Sequence, residues 1–387
     1  MVLAQKHKHI YMEVLQTIAG FGAHSGGTST CTYDLLSAMH YIDCKVDLMT
    51  IQSIDLIGKG EAWIKALPND AITPYGYSRN INRFLKQSDY DLYHTNGMWM
   101  HCNHATCATA RQKDKPYIIT PHGMLHPQAM KRSAWKKNII LSVGGANKDL
   151  KLANCIHVTC REEMNNYRNL GYKNPVAIIP NPFSAPLYLN EIENKRNLQR
   201  IGFLGRLYPY KKVDALIDAW ISLGTAVKEA QLVIMGKGEL KYEQMLKERV
   251  RQHGLRNVEF AGFVTGREKF ERLASLTALC VPSDFENFGM IVTEALSVGT
   301  PVIASLGTPW EELNKEHCGY WVRNDVSTLA ETINTVLNLP DDEICRMGEN
   351  GKNLVRHKYQ DTQVALMMKQ LYEWILDGGK KPKFIYE

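Results

Sequence analysis

Short apolar runs rich in β-branched residues alternate with segments of helical periodicity along almost the whole chain. The predicted strands of the first half are residues 9–16, 45–51, 91–95, 117–120, 155–159 and 176–179. Those of the second half are residues 201–204, 231–235, 258–261, 278–281, 301–304 and 319–322. Helices are predicted between them, and a last helix, at 362–376, is predicted to have no strand after it. This alternation predicts βαβ units, and therefore an α/β fold with parallel sheets.

The alternation is interrupted near the middle of the chain. Residues 180–186 contain three prolines, and the polar stretch 190–200 that follows is typical of a connection between domains. A chain of 387 residues is also long enough for two domains. We therefore predict two Rossmann-like, doubly wound domains, at residues 1–185 and 186–360. Since ligands of such folds bind beyond the carboxyl ends of the strands, we expect a ligand cleft between the two sheets.

Composition excludes several classes of protein. Hydrophobic residues make up 44% and charged residues 22%, as in ordinary soluble domains, and no apolar run reaches the ~20 residues of a membrane span. The net charge of +6 is not gathered into a basic stripe with aromatic residues, so no nucleic-acid partner is predicted. The nine cysteines show no regular spacing, which favours a reducing, cytoplasmic compartment. The apolar stretch 10–19 is interrupted by Glu13 and Gln16, which argues against a signal peptide.

A pair of glutamates stands out in the second half. Glu286 lies in the loop after the predicted strand 278–281, and Asn287 and Gly289 open an apolar-periodic run that predicts a helix containing Glu294. The free N–H groups at such a helix N-terminus suit an anion. Eight helical residues rise about 12 Å, which matches the reach from the sugar to the ribose of a nucleotide-sugar. Two surface carboxylates on an ordinary helix are the alternative.

Cations follow the first predicted strand of the second domain. Arg206, Lys211 and Lys212 occur within a few residues of its end. An arginine can bind two phosphate oxygens at once, and a lysine supplies a mobile charge, so together they suit a diphosphate. A solvated basic turn remains the alternative.

Two glycine turns are less specific. Gly236 and Gly238 follow another strand and form half of a dinucleotide-binding fingerprint, although a plain strand-to-helix turn has the same pattern. Val264, after Gly262 and Phe263, is a candidate wall of a nucleobase pocket, or simply a packing residue.

The order of these motifs resembles the donor half of the retaining glycosyltransferases of family 4, which have the two-domain GT-B fold and an E-x7-E motif. The resemblance runs from about residue 202 to 322 and rests on the following residues: Gly205, Arg206, Lys211, Gly236, Gly238, Gly262, Val264, Glu286, Asn287, Phe288, Gly289, Glu294, Gly299 and Pro301. A GT-B fold is therefore expected, with the segment 361–387 packing back on the first domain.

The resemblance also implies roles for individual residues. Arg206 and Lys211 would hold the donor diphosphate, Glu286 the hydroxyls of the transferred sugar, and Glu294 the ribose. The backbone around Asn287, Phe288, Gly289 and Met290 would assist, as would Gly236 and Val264. Lys212 stands where many relatives have glycine, so which of the two lysines reaches the phosphate stays open.

Two segments of the first half acquire roles from the same resemblance. His122 follows the strand 117–120, and a histidine in this position lies beside the donor sugar in many relatives. Gly26 and Gly27 belong to the loop 20–28, which also contains His24 and Ser25 and which in the family lies near the donor phosphates. Taken alone, a structural histidine and a flexible turn are the alternatives.

His101, His104 and Cys107 are candidate metal ligands, because their spacing places them on one face of a predicted helix. No C-x-x-C pair accompanies them, as structural zinc sites usually require. The family resemblance implies that cations and helix termini replace a metal. We therefore expect no metal and no cofactor, with a UDP-sugar or GDP-sugar as the donor substrate.

A basic, amphipathic stretch covers residues 131–141, with Lys131, Arg132, Lys136 and Lys137 beside Trp135 and three aliphatic residues. It suits an anionic lipid surface, where a lipid-linked acceptor would be found. A solvated helix face is the alternative.

These observations predict an enzyme that moves a hexose from a nucleotide-sugar to a saccharide or a lipid-linked saccharide, and the family resemblance implies that the configuration of the sugar is retained. Surface polysaccharide synthesis is the expected setting, and a monomer or a small homo-oligomer is the expected form. Two alternatives stay open: a sugar-nucleotide epimerase or hydrolase of the same fold, and a binding protein without catalysis.

Overall fold

The protein is described by a computed structural model that covers residues 12–23, 26–131, 133–193 and 199–387. It divides into two compact units. The first unit runs to Pro182 and also includes Asp361–Glu387, whereas the second unit is Phe183–Gln360. The first division falls within the proline-rich stretch, slightly before the predicted boundary at 185.

The strands in chain order are β1 Glu13–Ile18, β2 Lys45–Ile51, β3 Ile64–Leu67, β4 Leu92–Asn96, β5 Tyr117–Thr120, β6 Cys155–Val158, β7 Val176–Ile178, β8 Arg200–Leu204, β9 Gln231–Met235, β10 Val258–Gly262, β11 Ala278–Val281, β12 Val302–Ser305, β13 Gly319–Val322 and β14 Ile385–Tyr386. The α-helices are α1 Gly27–Tyr41, α2 Arg79–Gln87, α3 His101–Gln112, α4 Pro127–Lys131, α5 Ala134–Ser142, α6 Ala146–Leu152, α7 Arg161–Asn169, α8 Val213–Leu223, α9 Leu240–Gln252, α10 Gly266–Ala274, α11 Met290–Ser297, α12 Glu312–Lys315, α13 Val326–Leu337, α14 Asp341–Leu354 and α15 Asp361–Asp377.

The first unit is built on a sheet of strand order β14-β7-β6-β5-β4-β1-β2-β3. Its strands pair in parallel, except for β14, which is antiparallel to β7. Neighbouring residues such as Val14 and Leu15 are both fully buried, because one packs towards α1 and α15 and the other towards α2 and α3. Helices on both faces explain why these strands read as continuous apolar runs.

The second unit repeats this architecture with a parallel sheet of order β10-β9-β8-β11-β12-β13. The side chains of Val233 and Ile234 again face opposite cores, each largely closed to solvent. Both sheets therefore have the doubly wound arrangement that the alternation predicts.

Each sheet reverses its strand order at one place. The reversal lies between β1 and β4 in the first unit, and between β8 and β11 in the second. Loops that leave such neighbouring strands diverge to opposite sides, and ligands of doubly wound folds bind in the resulting crevice. This geometry singles out the segments after β1, β4, β8 and β11.

The C-terminal segment Asp361–Glu387 belongs to the first unit. Helix α15 packs on α1 and buries Val364, Met368, Leu371 and Tyr372 in the core of that unit. The hydroxyl of Tyr372 is buried against the first sheet, where it accepts a hydrogen bond from the side chain of Gln16 in β1.

Three local predictions need correction. Strand β3 was not predicted, because its residues Ile64–Leu67 are only partly buried and carry a lysine. A strand does follow the last helix: β14 is only two residues long and forms the edge of the sheet by antiparallel pairing with β7. Helix α11 begins at Met290, so only about half of the E-x7-E spacing is helical, and the predicted 12 Å helical rise between the glutamates is wrong. Residues 9–11 of the first predicted strand lie outside the described residues.

The glycine at Gly236 sets how closely the loops after β8 and β9 approach. A Cβ atom there would lie 1.8 Å from the carbonyl oxygen of Gly205, and Gly236 has a φ of +147°. Its N–H donates to the Gly262 carbonyl at 2.6 Å, so the turn is tied to β10 as well.

The Gly236→Ala variant should therefore lose about 3 kcal/mol or more of unfolding free energy, because backbone cannot yield as a flexible side chain can. The matched control is Gly254→Ala, where φ is +62° and no atom lies within 4 Å of the added Cβ. This control should lose only about 1 kcal/mol, from the left-handed backbone alone. Equilibrium urea unfolding measures both variants, and equal losses would contradict the packing argument.

Candidate active site

The loop after β11 is held in place by its neighbours at the carboxyl edge of the second sheet. The N–H of Glu286 donates to the Gly307 carbonyl at 2.8 Å, and the N–H of Asp284 donates to the Tyr210 carbonyl at 2.8 Å. A Cβ atom on Gly307 would lie 2.1 Å from the Asp284 carbonyl oxygen, so the two loops are in direct backbone contact. The segments after β8, β11 and β12 therefore form one surface.

The carboxylate of Glu286 pairs with Lys211 on this surface. The Lys211 ammonium donates to Oε1 of Glu286, and the Ser283 hydroxyl donates to the same oxygen at 2.8 Å. The two charged side chains are only 16% and 13% exposed, so each charge depends on the other. The structure thus brings together two of the predicted site residues from opposite sides of the strand reversal.

The neighbouring Lys212 has a different role. It adopts a φ of 55° at the residue before α8, in the left-handed region that glycine enters without strain. Lys211, and not Lys212, is the lysine that contacts Glu286.

The N-terminus of α11 lies directly after this carboxylate. Gly289 has a φ of 81° and turns the chain into the helix, whose first N–H groups have no acceptor within the helix itself. Below the turn, Phe288, Trp310 and Tyr359 pack with ring centroids 5.2 to 5.6 Å apart. The Trp310 indole N–H donates to the Phe288 carbonyl at 2.5 Å, and this hydrogen bond fixes the backbone of the turn on the aromatic cluster beneath it.

Glu294, one turn into α11, has a cationic partner that the sequence analysis did not identify. Lys269 of α10 donates to Oε1 of Glu294 at 2.8 Å, with side chains that are 22% and 20% exposed. Both members of the glutamate pair are therefore neutralised by a lysine. Nothing in the sequence marks Lys269, because it lies on a separate helix amid other charged residues.

Arg206 is the exposed cation of the group. It follows β8, its guanidinium carbon lies 5.7 Å from the centre of the Tyr208 ring, and no carboxylate pairs with it in the described ranges of the chain. An exposed guanidinium without a carboxylate partner retains its full capacity to bind an anion.

Two predicted contact residues have a structural explanation. Gly236 is required by the close approach of backbone described above, and the side chain of Val264 is buried in the second unit's core. Each can offer a ligand only its backbone. Phe263, which is 69% exposed beside Val264, is the side chain of this segment that faces outwards.

In the first unit, Gly26 and Gly27 form the N-terminus of α1. Gly26 has a φ of 91°, and Gly27 is the first helical residue and is exposed. A Cβ atom on either would meet no atom of the described residues within 4 Å. His24 and Ser25 of the same loop lie outside the described residues.

His122 occupies a strained turn after β5. Its φ is 51° and that of Gly123 is 74°, both in the left-handed region. Glu163, 3% exposed at the start of α7, accepts a hydrogen bond from the Gly123 N–H at 2.5 Å and another from the Thr159 N–H at 2.9 Å. A buried carboxylate thus holds a turn that a non-glycine residue adopts only at a cost of about 1–2 kcal/mol.

The His122 ring contacts the end of β4. Its Nε2 lies 2.9 Å from Oδ1 of Asn96, and burial lowers the pKa of the imidazole below its ordinary value, with a smaller contribution from His157. His122 is therefore a neutral ring at physiological pH. Asn96, like Glu163, was not identified from the sequence.

The candidate metal ligands do not converge. His104 pairs with Asp149 at 2.7 Å, Nδ1 of His101 accepts from the Ser78 N–H at 3.4 Å, and Cys107 is buried. No three metal-ligating side chains of the His, Cys, Asp or Glu type gather anywhere in the described ranges.

A groove of about 770 Å³ opens elsewhere on the first unit, at the amino ends of β1 and β2. Its charged side chains pair with one another, Lys45 with Glu13 at 3.3 Å and Lys65 with Asp47 at 3.5 Å. It lies at the edge of the sheet opposite to the strand ends described above, so we assign it no part in this site.

The buried histidines behind His122 predict how stability depends on pH. Burial lowers the pKa of His157 to about 4, and that of His94 well below 6.5. In the unfolded chain these rings take up a proton near pH 6.5, which the folded protein does not do until lower pH. Their stabilising contribution is therefore complete above about pH 6.5 and is lost as the pH falls.

Between pH 6 and 5, each such ring should contribute about 1.4 kcal/mol per pH unit to the slope of the unfolding free energy. The His157→Gln variant should show a slope smaller by about that amount. Urea unfolding at several pH values measures it, and an unchanged slope would mean that His157 is protonated in the folded protein.

Comparison with known proteins identifies relatives of both halves of the chain. The profile described as "Glycosyltransferase Family 4" matches residues 25–185, and that described as "Glycosyl transferases group 1" matches residues 188–354. An uncharacterized glycosyltransferase of Methanocaldococcus jannaschii is 26% identical over 79% of this chain and 81% of its own. The phosphatidyl-myo-inositol mannosyltransferase of Mycobacterium leprae is 31% identical over 46% of this chain and 47% of its own.

Solved structures resemble the whole chain. HepE of Anabaena, in complex with UDP, superposes with a TM-score of 0.73 at 17% identity, covering 94% of this chain and 100% of its own. Sucrose-phosphate synthase of Thermosynechococcus elongatus reaches 0.74 at 21% identity, over 95% of this chain and 100% of its own. With two profiles that together span most of its length and a fold shared with these enzymes, the chain belongs to the GT-B glycosyltransferases of family 4.

Proposed function

We propose that the enzyme transfers a hexose, with retention of configuration, from a nucleotide-sugar to a saccharide or lipid-linked saccharide in surface polysaccharide synthesis. The observation that carries this proposal is the pairing of Lys211 with Glu286 and of Lys269 with Glu294 around the N-terminus of α11. Two carboxylates that accept hydroxyl groups, with a cation and free N–H groups between them, match a sugar, a diphosphate and a ribose in that order.

In the proposed reaction the bond between the sugar carbon and the diphosphate oxygen breaks, and the electron pair leaves with the diphosphate. The hydroxyl oxygen of the acceptor forms the new bond to that carbon on the same face, and its proton passes to the departing diphosphate. Arg206, Lys211 and the first N–H groups of α11 would stabilise the negative charge that develops there. Glu286 would bind hydroxyls of the sugar and set its orientation. Removing one such group typically lowers turnover by about 10²–10³-fold.

The donor that we propose is UDP-sugar or GDP-sugar. Neighbouring structures were solved with UDP, and a relative in Mycobacterium tuberculosis, 31% identical over 35% of each chain, is named as GDP-mannose-dependent. We further propose that no metal takes part, because Arg206, Lys211 and the helix end can supply the positive charge. A thermal-shift screen of nucleotide-sugars would identify the donor, since a ligand at 100 times its Kd adds about 2.7 kcal/mol of stability.

The two carboxylates should be separable by experiment. The Glu294→Gln variant should bind the free nucleoside diphosphate about tenfold more weakly, because a charge-assisted hydrogen bond to the ribose is lost. Glu286→Gln should bind the nucleoside diphosphate no more weakly than the wild type, because the charge of Lys211 is then no longer neutralised by Glu286 and stays available to the diphosphate. Its sugar transfer should nevertheless fall by about 10²–10³-fold.

Calorimetric titration of UDP and GDP, together with product analysis by chromatography, measures these effects. Glu268→Gln, an exposed carboxylate on α10, is the matched control and should behave as the wild type. Undiminished transfer by Glu286→Gln would contradict the site assignment. Product analysis also separates the alternatives, because an epimerase or hydrolase would consume the nucleotide-sugar without a saccharide acceptor, and a binding protein would not consume it.

We also propose a cytoplasmic enzyme that associates with the inner face of the membrane through α5. None of the residues of this helix is buried, and Trp135 and Ile139 are 65% and 49% exposed. Lys136 lies 5.4 Å from the Trp135 ring, so cationic and apolar groups share one surface, as anionic lipid requires. Arg132 of this stretch lies outside the described residues. None of the helices in the described ranges has the length and apolar character that crossing a bilayer requires.

Trp135→Ala should reduce binding to vesicles that contain anionic phosphatidylglycerol, because an exposed aromatic ring is then no longer available to the interface. Tyr41→Ala is the matched control, since Tyr41 is 81% exposed on the same unit but far along the chain from α5. Co-sedimentation with vesicles measures both. Equal binding by the two variants, or no preference for anionic over neutral vesicles, would refute the proposal.

A further inference from the structure

We infer that a buried chain of hydrogen bonds, ending at the Ile179 carbonyl, fixes the ring tautomer of His122 with the proton on Nε2, and that Tyr372 of the C-terminal helix is a positioning residue for this ring. The inference rests on the proposed function, with His122 taking the part in sugar transfer that the family resemblance implies. Its structural half can be tested without any substrate.

The chain begins at the edge of the first sheet. Nε2 of His157 lies 2.9 Å from the Ile179 carbonyl oxygen, and Nδ1 of His157 lies 2.8 Å from the Thr120 hydroxyl. The same hydroxyl lies 2.6 Å from Nε2 of His94. Three neighbouring strands, β6, β5 and β4, are thereby connected through their side chains.

From there the chain reaches His122 by way of the C-terminal helix. Nδ1 of His94 lies 2.8 Å from the Tyr372 hydroxyl, which accepts a hydrogen bond from the side-chain amide of Gln16 at 2.8 Å. The Gln16 carbonyl oxygen accepts from the Asn96 amide at 2.8 Å, and Oδ1 of Asn96 lies 2.9 Å from Nε2 of His122.

One acceptor determines the direction of every bond in this chain. A backbone carbonyl can only accept, so Nε2 of His157 must carry the proton, and Nδ1 of that neutral ring must accept from Thr120. Thr120 has a single proton and therefore accepts from Nε2 of His94. Consequently Nδ1 of His94 accepts from the hydroxyl of Tyr372.

The remaining bonds follow in the same way. The Tyr372 hydroxyl has used its proton, so it accepts from the Gln16 amide, and the carbonyl oxygen of Gln16 faces the amide of Asn96. Oδ1 of Asn96 is then left to face His122, and it can only accept. The proton of His122 must therefore lie on Nε2, which leaves Nδ1 with the lone pair.

Burial makes this direction hard to reverse. Gln16, Thr120 and Tyr372 are fully buried, and His94 and His157 are 1% and 4% exposed. Without access to water, a group that turned its donor towards another donor would lose its partner, at a cost of about 1–3 kcal/mol. The direction is thus a property of the folded first unit and does not depend on a bound ligand.

The backbone of His122 is fixed from the other side. Glu163 holds the Gly123 N–H in the left-handed turn, while Asn96 holds the imidazole. With both the turn and the ring constrained, Nδ1 presents an acceptor of defined direction. A hydroxyl group of a sugar is the chemical class that such an acceptor binds.

The first experiment uses the unmodified protein with 15N-labelled histidine. Nitrogen chemical shifts at neutral pH show which ring nitrogen carries the proton, and the loss of signals in His94→Gln, His122→Gln and His157→Gln variants assigns them. We expect all three rings to carry the proton on Nε2. A proton on Nδ1 of any of the three would overturn the inference.

The second experiment breaks the chain at its middle by removing one hydroxyl group. In Tyr372→Phe, the Gln16 and Asn96 amides lose their enforced orientation, so His122 should populate both tautomers. Sugar transfer should fall about five- to tenfold in kcat, whereas the Kd of the nucleoside diphosphate should stay unchanged. Tyr93→Phe is the matched control, because Tyr93 is also fully buried and its hydroxyl lies 3.1 Å from the Ser88 hydroxyl, which is not part of this chain of hydrogen bonds.

The control should keep the tautomer and kcat of the wild type. If Tyr372→Phe keeps both as well, Tyr372 is not a positioning residue, and a changed tautomer with unchanged kcat overturns the same role. Should Tyr372→Phe fail to fold, Thr120→Val breaks the same chain between His94 and His157 and has the same expected outcome. A wild type without sugar transfer would refute the proposed function instead, and would leave the tautomer result standing.

Discussion

The reversal of strand order in each sheet is the constraint on which the candidate site depends. In the second unit the reversal lies between β8 and β11, so the loops that follow these two strands flank one crevice. Lys211 comes from the first of these loops and pairs with Glu286 from the second. The N–H of Asp284 donates to the Tyr210 carbonyl and joins these two loops directly, while Gly236 and Gly307 let the loops after β9 and β12 pack against them at backbone contact distance. Without that close packing the lysine and the glutamate would each be a partly buried charge lacking its partner, at a cost of several kcal/mol.

Both glutamates of the E-x7-E motif are neutralised in this arrangement. Lys211 and Ser283 bind one oxygen of Glu286, and Lys269 binds one oxygen of Glu294, so each carboxylate retains an oxygen that can accept from a hydroxyl group. Mutual neutralisation lets the protein keep two carboxylates close to a site proposed for a doubly charged diphosphate. Arg206, which is exposed and has no carboxylate partner among the residues that the structure describes, would then be the cation that meets the diphosphate first.

Much of this could be read from local patterns. The strands of both sheets, apart from β3 and β14, follow from short apolar runs, because burial on both faces leaves a continuous apolar signal. Gly289 and Lys211 could be identified by their position after strands. Lys269, Asn96 and Glu163 could not, because each acts through a contact with a residue that is distant in sequence and its own neighbourhood looks like an ordinary helix or strand end. For Val264 the sequence left both a pocket wall and a packing residue open, and the structure buries its side chain in the core.

The amino-acid sequence by itself determined the α/β class, the presence of two doubly wound units and the order of the motifs that form the candidate site, since these depend on residue type and spacing along the chain. The tertiary structure alone decided which charges neutralise one another and which hydrogen bonds the buried polar groups form. The reason is that a buried polar group must find a partner in space, and for Glu294, His122 and Tyr372 that partner comes from another element of the fold. The chain of hydrogen bonds behind His122 is the clearest case, because the Ile179 carbonyl at one end determines which nitrogen of the His122 ring carries the proton at the other end.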